Sequence, residues 1–269
     1  MIVNTITMKS AVLQNKAYVT VLLPETFDSH APRVNGLVPL VPKFPMDQKY
    51  KVLTLLHGAW DDGTSYLRRT NIEKVAEDNG FAVVLPSIGT NFYTDCYYGD
   101  RWYTFVTEEL PQMLRRNFPL SDKKEDNVLA GLSMGGYGTM MIGLKHPERY
   151  AKLATMSGAL NLLHPIGNAE MSGGINAEMI WGGMERYKDS EWDVMHLLDE
   201  AVKSGKEIPP IFQVIGTADP LYPMNQDFRE KAEGYGLDLH YEEVEGVGHD
   251  WVLWNEYVTK ICRWAGLAK

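Results

Sequence analysis

The sequence predicts an α/β fold, a mainly parallel sheet covered by helices on both faces. Short apolar runs of strand character alternate with helical segments along the chain. The length of 269 residues, 45% of them hydrophobic, suits one large domain, with no linker that would divide it. One run, 127–131, leads through a glycine-flanked serine directly into a helical stretch.

The chain opens with two extended candidates, 2–8 and 18–23, which residues 10–16 can join as an antiparallel hairpin at one sheet edge. Residues 28–48 hold Pro32, Pro39, Pro42 and Pro45 and read as an irregular surface loop. Further strand candidates follow at 51–56, 81–85, 127–131, 153–157, 211–215 and 239–244. Between them, apolar residues at three- and four-residue spacing predict helices at 67–79, 102–117, 136–145, 193–203, 225–234 and 251–264. Pro111 falls inside the second, so a kink or a late start is expected there. Residues 160–210 break the alternation with Gly173-Gly174, Gly182-Gly183 and a cluster of Met and Trp. They read as a cap-like insertion overhanging the strand ends, where ligands bind in this architecture.

Composition narrows the function. Lys and Arg number 26 against 35 Asp and Glu, a net charge of −9, and the basic pairs Arg115-Arg116 and Lys123-Lys124 are short. Nucleic acid is therefore not an expected partner. No stretch approaches the roughly 20 apolar residues that a membrane span requires, and the first residues lack a basic segment followed by an apolar one. Cys96 and Cys262 stand far apart without metal-ligand spacing, which argues against a disulfide framework or a zinc site. A cytoplasmic protein without membrane attachment is the expectation.

The pentapeptide Gly131-Leu132-Ser133-Met134-Gly135 has the form of a nucleophile elbow. A strand that turns abruptly into a helix strains its central residue and leaves no room for side chains two positions away, so glycine is needed at both flanks. The following helix points free amides and its positive dipole end at the serine hydroxyl. Such pentapeptides also arise by chance, and it is the strand before and the helix after that give this one its meaning.

A serine hydroxyl is a weak nucleophile unless a histidine takes its proton and a carboxylate orients that histidine. In this fold the partners follow in the order Ser, acid, His. Asp219 comes after the strand 211–215 through Gly216-Thr217-Ala218, on the same rim as the elbow, and is preferred over Asp227 and Asp238. His249 lies in the glycine-bearing loop 245–251 between the last strand and the final helix. His57 belongs to another motif, His57-Gly58-Ala59-Trp60, directly after the strand 51–56. That loop is expected to supply one oxyanion donor, the amide of Ala59, beside the amide of Met134, with His57 structural and not a base.

Leu56-His57-Gly58, Tyr93-Thr94-Asp95, Glu109-Leu110-Pro111, the block from Ala130 to Gly138 and Ser157-Gly158-Ala159-Leu160 together resemble the tributyrin esterase family. That family sits in the esterase D group with the S-formylglutathione hydrolases and is similar to feruloyl and acetylxylan esterases. The resemblance runs from about residue 18 to the C-terminus, and the block around Ser133 is its most specific part. It implies an α/β-hydrolase fold, a Ser133-Asp219-His249 triad, and hydrolysis of short-chain acyl esters without cofactor or metal. The chain departs from the family in the loop 28–48, which looks longer, and in 160–210, where members differ most.

The expected partner is thus a small-molecule ester. S-formylglutathione hydrolase, feruloyl or acetylxylan esterase and acyltransferase chemistry are the alternatives, and a non-catalytic protein on the same scaffold is the reading from another class. Phe92, Tyr93, Tyr97, Tyr98 and Trp102, with Trp60 and Trp181, could wall a substrate pocket or simply pack the core. Apolar groups in 160–210 suit either a lid or contact with a second copy of the chain, which leaves a homo-oligomer open.

Overall fold

The computed structural model describes residues 1–25, 32–37, 49–166 and 174–269. Eight strands form one sheet in the order β1-β2-β4-β3-β5-β6-β7-β8. They are β1 Ile2–Lys9, β2 Lys16–Leu23, β3 Val52–Leu56, β4 Ala82–Ser87, β5 Asn127–Leu132, β6 Lys152–Met156, β7 Ile211–Gly216 and β8 Leu239–Val244. β1 and β2 form the expected antiparallel hairpin, with Ile2 opposite Leu23, and β2 joins β4 antiparallel. From β4 to β8 every pairing is parallel.

Because helices cover both faces, the central strands bury all their residues: β5 and β7 have none exposed. Alternate residues feed two cores. Leu53, Leu55, Val128 and Ala130 face one, with Trp254, Tyr257 and Ile261; Val52, Leu56 and Leu129 face the other, with Met140, Met141 and Phe228. The helices are α1 Ser65–Arg69, α2 Ile72–Asn79, α3 Trp102–Thr104, α4 Leu110–Asn117, α5 Met134–Lys145, α6 Ala177–Trp181, α7 Met184–Tyr187, α8 Val194–Lys203, α9 Tyr222–Gly234 and α10 Trp251–Trp264. α5 is buried from Met134 to Leu144, so it has no solvent face and reads as apolar on all sides.

Three helices differ most from expectation. The stretch 67–79 is split, because Thr70 is extended at φ −134°, ψ 169°; its hydroxyl donates to the Tyr66 carbonyl at 2.6 Å and accepts the Ile72 amide at 3.3 Å. A threonine hydroxyl that bonds the neighbouring backbone in this way competes with helix propagation. The stretch 102–117 does not start late at Pro111 but begins at Trp102 and widens into a π-helical segment, Phe105–Glu109, between α3 and α4. The Thr107 carbonyl, whose α-helical donor would be the amide that proline lacks, accepts Arg149 Nη1 at 2.8 Å instead. α9 begins three residues earlier than predicted, since Pro223 occupies a first-turn position where no N–H is needed.

Most of the loop 28–48, including Pro39, Pro42 and Pro45, lies outside the described residues, as do 167–173 of the insertion. Within the described part, α6, α7 and α8 fill the interval between β6 and β7, and Tyr97 and Tyr98 donate backbone amides to Ile180 and Met179 at 2.9 Å each. Among the described residues no helix is long and apolar enough to cross a membrane.

Candidate active site

β5 ends at Leu132, α5 begins at Met134, and Ser133 between them is held at φ 54°, ψ −118°. This region is sparsely populated and costs on the order of 1–3 kcal/mol. The flanking glycines make it attainable. A Cβ on Gly131 would lie 2.2 Å from the Gly135 carbonyl oxygen, and one on Gly135 only 2.0 Å from the Leu56 carbonyl oxygen. The turn is further pinned by the Ser133 amide donating to Met156 O at 2.9 Å and the Ala159 amide donating to Ser133 O at 3.2 Å.

Asp219 follows β7 through a short turn, its side chain wholly buried. Its Oδ1 accepts the Leu221 amide at 2.8 Å, and its Oδ2 faces His249 Nδ1 at 2.8 Å. The loop carrying His249 is laid over the end of β7: Ala218 donates to Val247 O at 3.0 Å, and Gly246 donates to Thr217 Oγ1 at 2.8 Å. Gly216 is required beneath it, because a Cβ there would lie 2.0 Å from the Val247 carbonyl oxygen.

His249 Nε2 lies 3.0 Å from Ser133 Oγ. A carboxylate only accepts, so Asp219 places the imidazole proton on Nδ1 and leaves Nε2 to accept from the serine hydroxyl. The imidazole is 28% exposed, open to a substrate on one side and backed by Trp254 on the other. Residues remote in sequence, 133, 219 and 249, thus form one hydrogen-bonded row. Asp227, the rival acid in a helix, is engaged elsewhere, accepting Asn161 Nδ2 at 2.7 Å.

Met134, as the first residue of α5, has an amide with no intrahelical acceptor. Ala59 is half-buried, and among the described residues its amide donates to no protein acceptor. The loop that carries it abuts the elbow, since a Cβ on Gly58 would lie 3.4 Å from Ser133 Cβ. His57 is fully buried, with Nδ1 2.7 Å from Gly58 O and Nε2 accepting the Ile88 amide at 3.0 Å. Burial pushes its pKa down, outweighing the bond to Gly58 and the nearby Asp61 and Asp62, so it is neutral and committed to the backbone.

The aromatic residues divide. Phe92, Tyr93 and Trp181 are buried, Phe92 meeting Tyr137 and Trp181 edge-on, while Trp60, Tyr97 and Tyr98 are exposed. A cavity of about 340 Å³ opens at the start of β3 and β5, where Val52 and Asn127 line it with Arg115 and Arg149. This is the rim opposite Ser133, which belongs to the carboxyl ends of the strands. A second, of about 310 Å³, lies among Tyr97, Ile180, Trp181, Arg186 and Trp192. Neither is lined by Ser133 or His249. Trp254 and Ser157 are site residues that spacing alone did not reveal; Ser157, at φ 49°, lies in one of the segments that carried the resemblance.

The family profile described as "Putative esterase" matches residues 10–265. An acetyl esterase of Caldicellulosiruptor saccharolyticus is 31% identical over 233 residues, covering 82% of this chain and 86% of that relative. Fluorophosphonate-binding serine hydrolase F of Staphylococcus aureus, solved with substrate bound, superposes with a TM-score of 0.84 at 28% identity, covering 100% of this chain and 99% of that one. The S-formylglutathione hydrolase FrmB of the same organism superposes with a TM-score of 0.82 at 29% identity, covering 98% of each chain. The chain therefore belongs to this esterase family, as an α/β-hydrolase acting on carboxylic esters.

Proposed function

We propose that the chain is a serine carboxylesterase of the tributyrin esterase and esterase D type, which cleaves short-chain acyl esters through an acyl-enzyme. The observation that carries this reading is the row Asp219–His249–Ser133, with contacts of 2.8 and 3.0 Å, ending on a strained elbow. His249 Nε2 takes the Ser133 proton as Oγ attacks the ester carbonyl, and Asp219 holds the tautomer and stabilises the imidazolium. The amides of Ala59 and Met134 receive the oxyanion. His249 then protonates the departing alcohol, and water repeats the sequence to release the carboxylic acid. No step calls for a metal or an organic cofactor.

In this reading residues 1–269 form one domain, and 160–210 act as a cap-like insertion whose helices set the acyl length accepted. The free thiols Cys96 and Cys262 fit a reducing, cytoplasmic setting. Thioester hydrolysis of S-formylglutathione is the second reading, favoured by the likeness to FrmB. A panel of nitrophenyl esters of increasing acyl length, run beside formylglutathione and methyl ferulate with wild type and Ser133→Ala, separates these. Short acyl esters should be preferred and Ser133→Ala should be inactive; turnover undiminished in that variant refutes the proposal.

A further inference from the structure

Beyond the serine row, His57 is a fully buried imidazole whose two nitrogens are both engaged by backbone one strand-end away from the nucleophile. The Ile88 amide donates to Nε2 at 3.0 Å, and an N–H can only donate, so Nε2 carries no proton. The proton of the neutral ring must then sit on Nδ1, which donates to the Gly58 carbonyl at 2.7 Å.

That carbonyl belongs to the peptide group whose nitrogen is Ala59. In a planar trans peptide C=O and N–H point in opposite directions. Holding Gly58 O against the imidazole therefore turns the Ala59 N–H away from His57, while Gly58 itself packs against Ser133. A hydrogen bond accepted by the carbonyl also polarises the amide and strengthens its N–H as a donor, by about 10–30% on condensed-phase figures.

We propose that His57 is a positioning residue of the reaction: its Nδ1–H aims and polarises the Gly58–Ala59 peptide so that the Ala59 amide meets the oxyanion, and the Ile88 amide selects the tautomer that does so. The proposal rests on the reading of Ser133 as nucleophile and Ala59 as oxyanion donor.

The rest of the loop is clipped to the same neighbouring segment. The Tyr93 hydroxyl donates to His57 O at 3.0 Å, and the Trp60 amide donates to Thr90 Oγ1 at 2.9 Å, which holds Trp60 at φ 59°. The peptides on both sides of the Gly58–Ala59 peptide are thus tethered to residues 88–93, and the burial that lowers the His57 pKa keeps the ring in the neutral form the arrangement needs.

Two substitutions separate the nitrogens. In His57→Asn the side-chain amide can replace Nδ1 as donor to Gly58 O, whereas in His57→Gln the side-chain oxygen can replace Nε2 as acceptor for Ile88 and no donor reaches Gly58. The expected result is a kcat about 10- to 100-fold lower in His57→Gln with KM changed by less than about 3-fold, and a kcat within about 5-fold of wild type in His57→Asn. Equal kcat values in the two variants, or a wild-type kcat in a folded His57→Gln, overturn the proposal. Nitrogen-15 chemical shifts of the wild-type histidines decide it independently of how the variants fold: the His57 proton must be on Nδ1, and a proton on Nε2 overturns it. An active Ser133→Ala would remove the nucleophile reading itself, while an inactive Ser133→Ala with a fully active His57→Gln would remove the His57 assignment alone.

Discussion

Trp254 stands edge-on to His249, ring centroids 4.9 Å apart at 84°, and its Nε1–H donates to Ser157 Oγ at 3.1 Å. The first turn of α10 therefore backs the imidazole that the preceding loop delivers, and ties it to the end of β6 beside the elbow. Trp254 is buried, so truncation to Ala should cost about 3–5 kcal/mol of stability. Trp254→Phe retains a ring edge and loses the donor to Ser157 together with a small part of the ring volume. It should fold normally and lose kcat/KM by about 3- to 10-fold, on the order of 1 kcal/mol for one hydrogen bond. Steady-state kinetics beside a urea titration checks this; an unchanged kcat/KM in Trp254→Phe would show that the bond to Ser157 does not help to place His249.

Gly135 and Gly234 should respond in opposite ways to the same added methyl group. At Gly135 a Cβ would meet the Leu56 carbonyl oxygen at 2.0 Å, a backbone atom that cannot swing aside, whereas at Gly234, the last residue of α9, it meets nothing within 4 Å. Gly135→Ala should lose more than about 3 kcal/mol, or fail to accumulate, and lose activity with it. Gly234→Ala should be neutral or stabilising by up to about 1 kcal/mol, through helix propensity and the unfolded chain. Thermal unfolding of both variants tests the pair. A Gly135→Ala protein as stable and active as wild type would contradict the close packing of α5 on β3.

Glu109 gives a stability term with a defined pH window. Burial pushes its carboxyl up, but the Ser10 hydroxyl and the amides of Ala11 and Val12 donate to it, outweigh burial and hold it below the ordinary 4.5. A depressed carboxyl stabilises the fold in full above its unfolded pKa, and the contribution disappears as the pH falls through the folded value. Glu109→Gln should therefore lower stability at pH 7 by about 1 kcal/mol, discounted for its contact with solvent, with the gap to wild type narrowing as the pH falls below the ordinary 4.5 and through the lowered folded value. Urea titrations at pH 7 and pH 3.5 measure it; a gap of the same size at both would assign the effect to packing and not to charge.

Much of this site was legible in the chain because it depends on local rules. Residues 131–135 announce a sharp strand-to-helix turn, and the order of Ser133, Asp219 and His249 follows the succession of strand ends along the sheet. Boundaries failed where a side chain competes with the backbone, as Thr70 does between α1 and α2, or where a missing amide is compensated by a distant residue, as Arg149 does for the turn before Pro111. Periodicity does not register such contacts. For the same reason the bonds from His57 to Gly58 and Ile88 could not be read from spacing, although the motif around His57 stood out and its structural role was expected. Which aromatic side chains face solvent depends on three-dimensional packing: Tyr97 is exposed and Phe92 buried although only four residues separate them.

Labelling of the intact protein with a fluorophosphonate probe, followed by peptide mapping, tests the role of Ser133 most directly. A single adduct on Ser133, lost in Ser133→Ala and abolished or greatly slowed in His249→Ala, is the predicted result. An adduct on any other residue, or labelling of Ser133 that proceeds at the wild-type rate without His249, would contradict it.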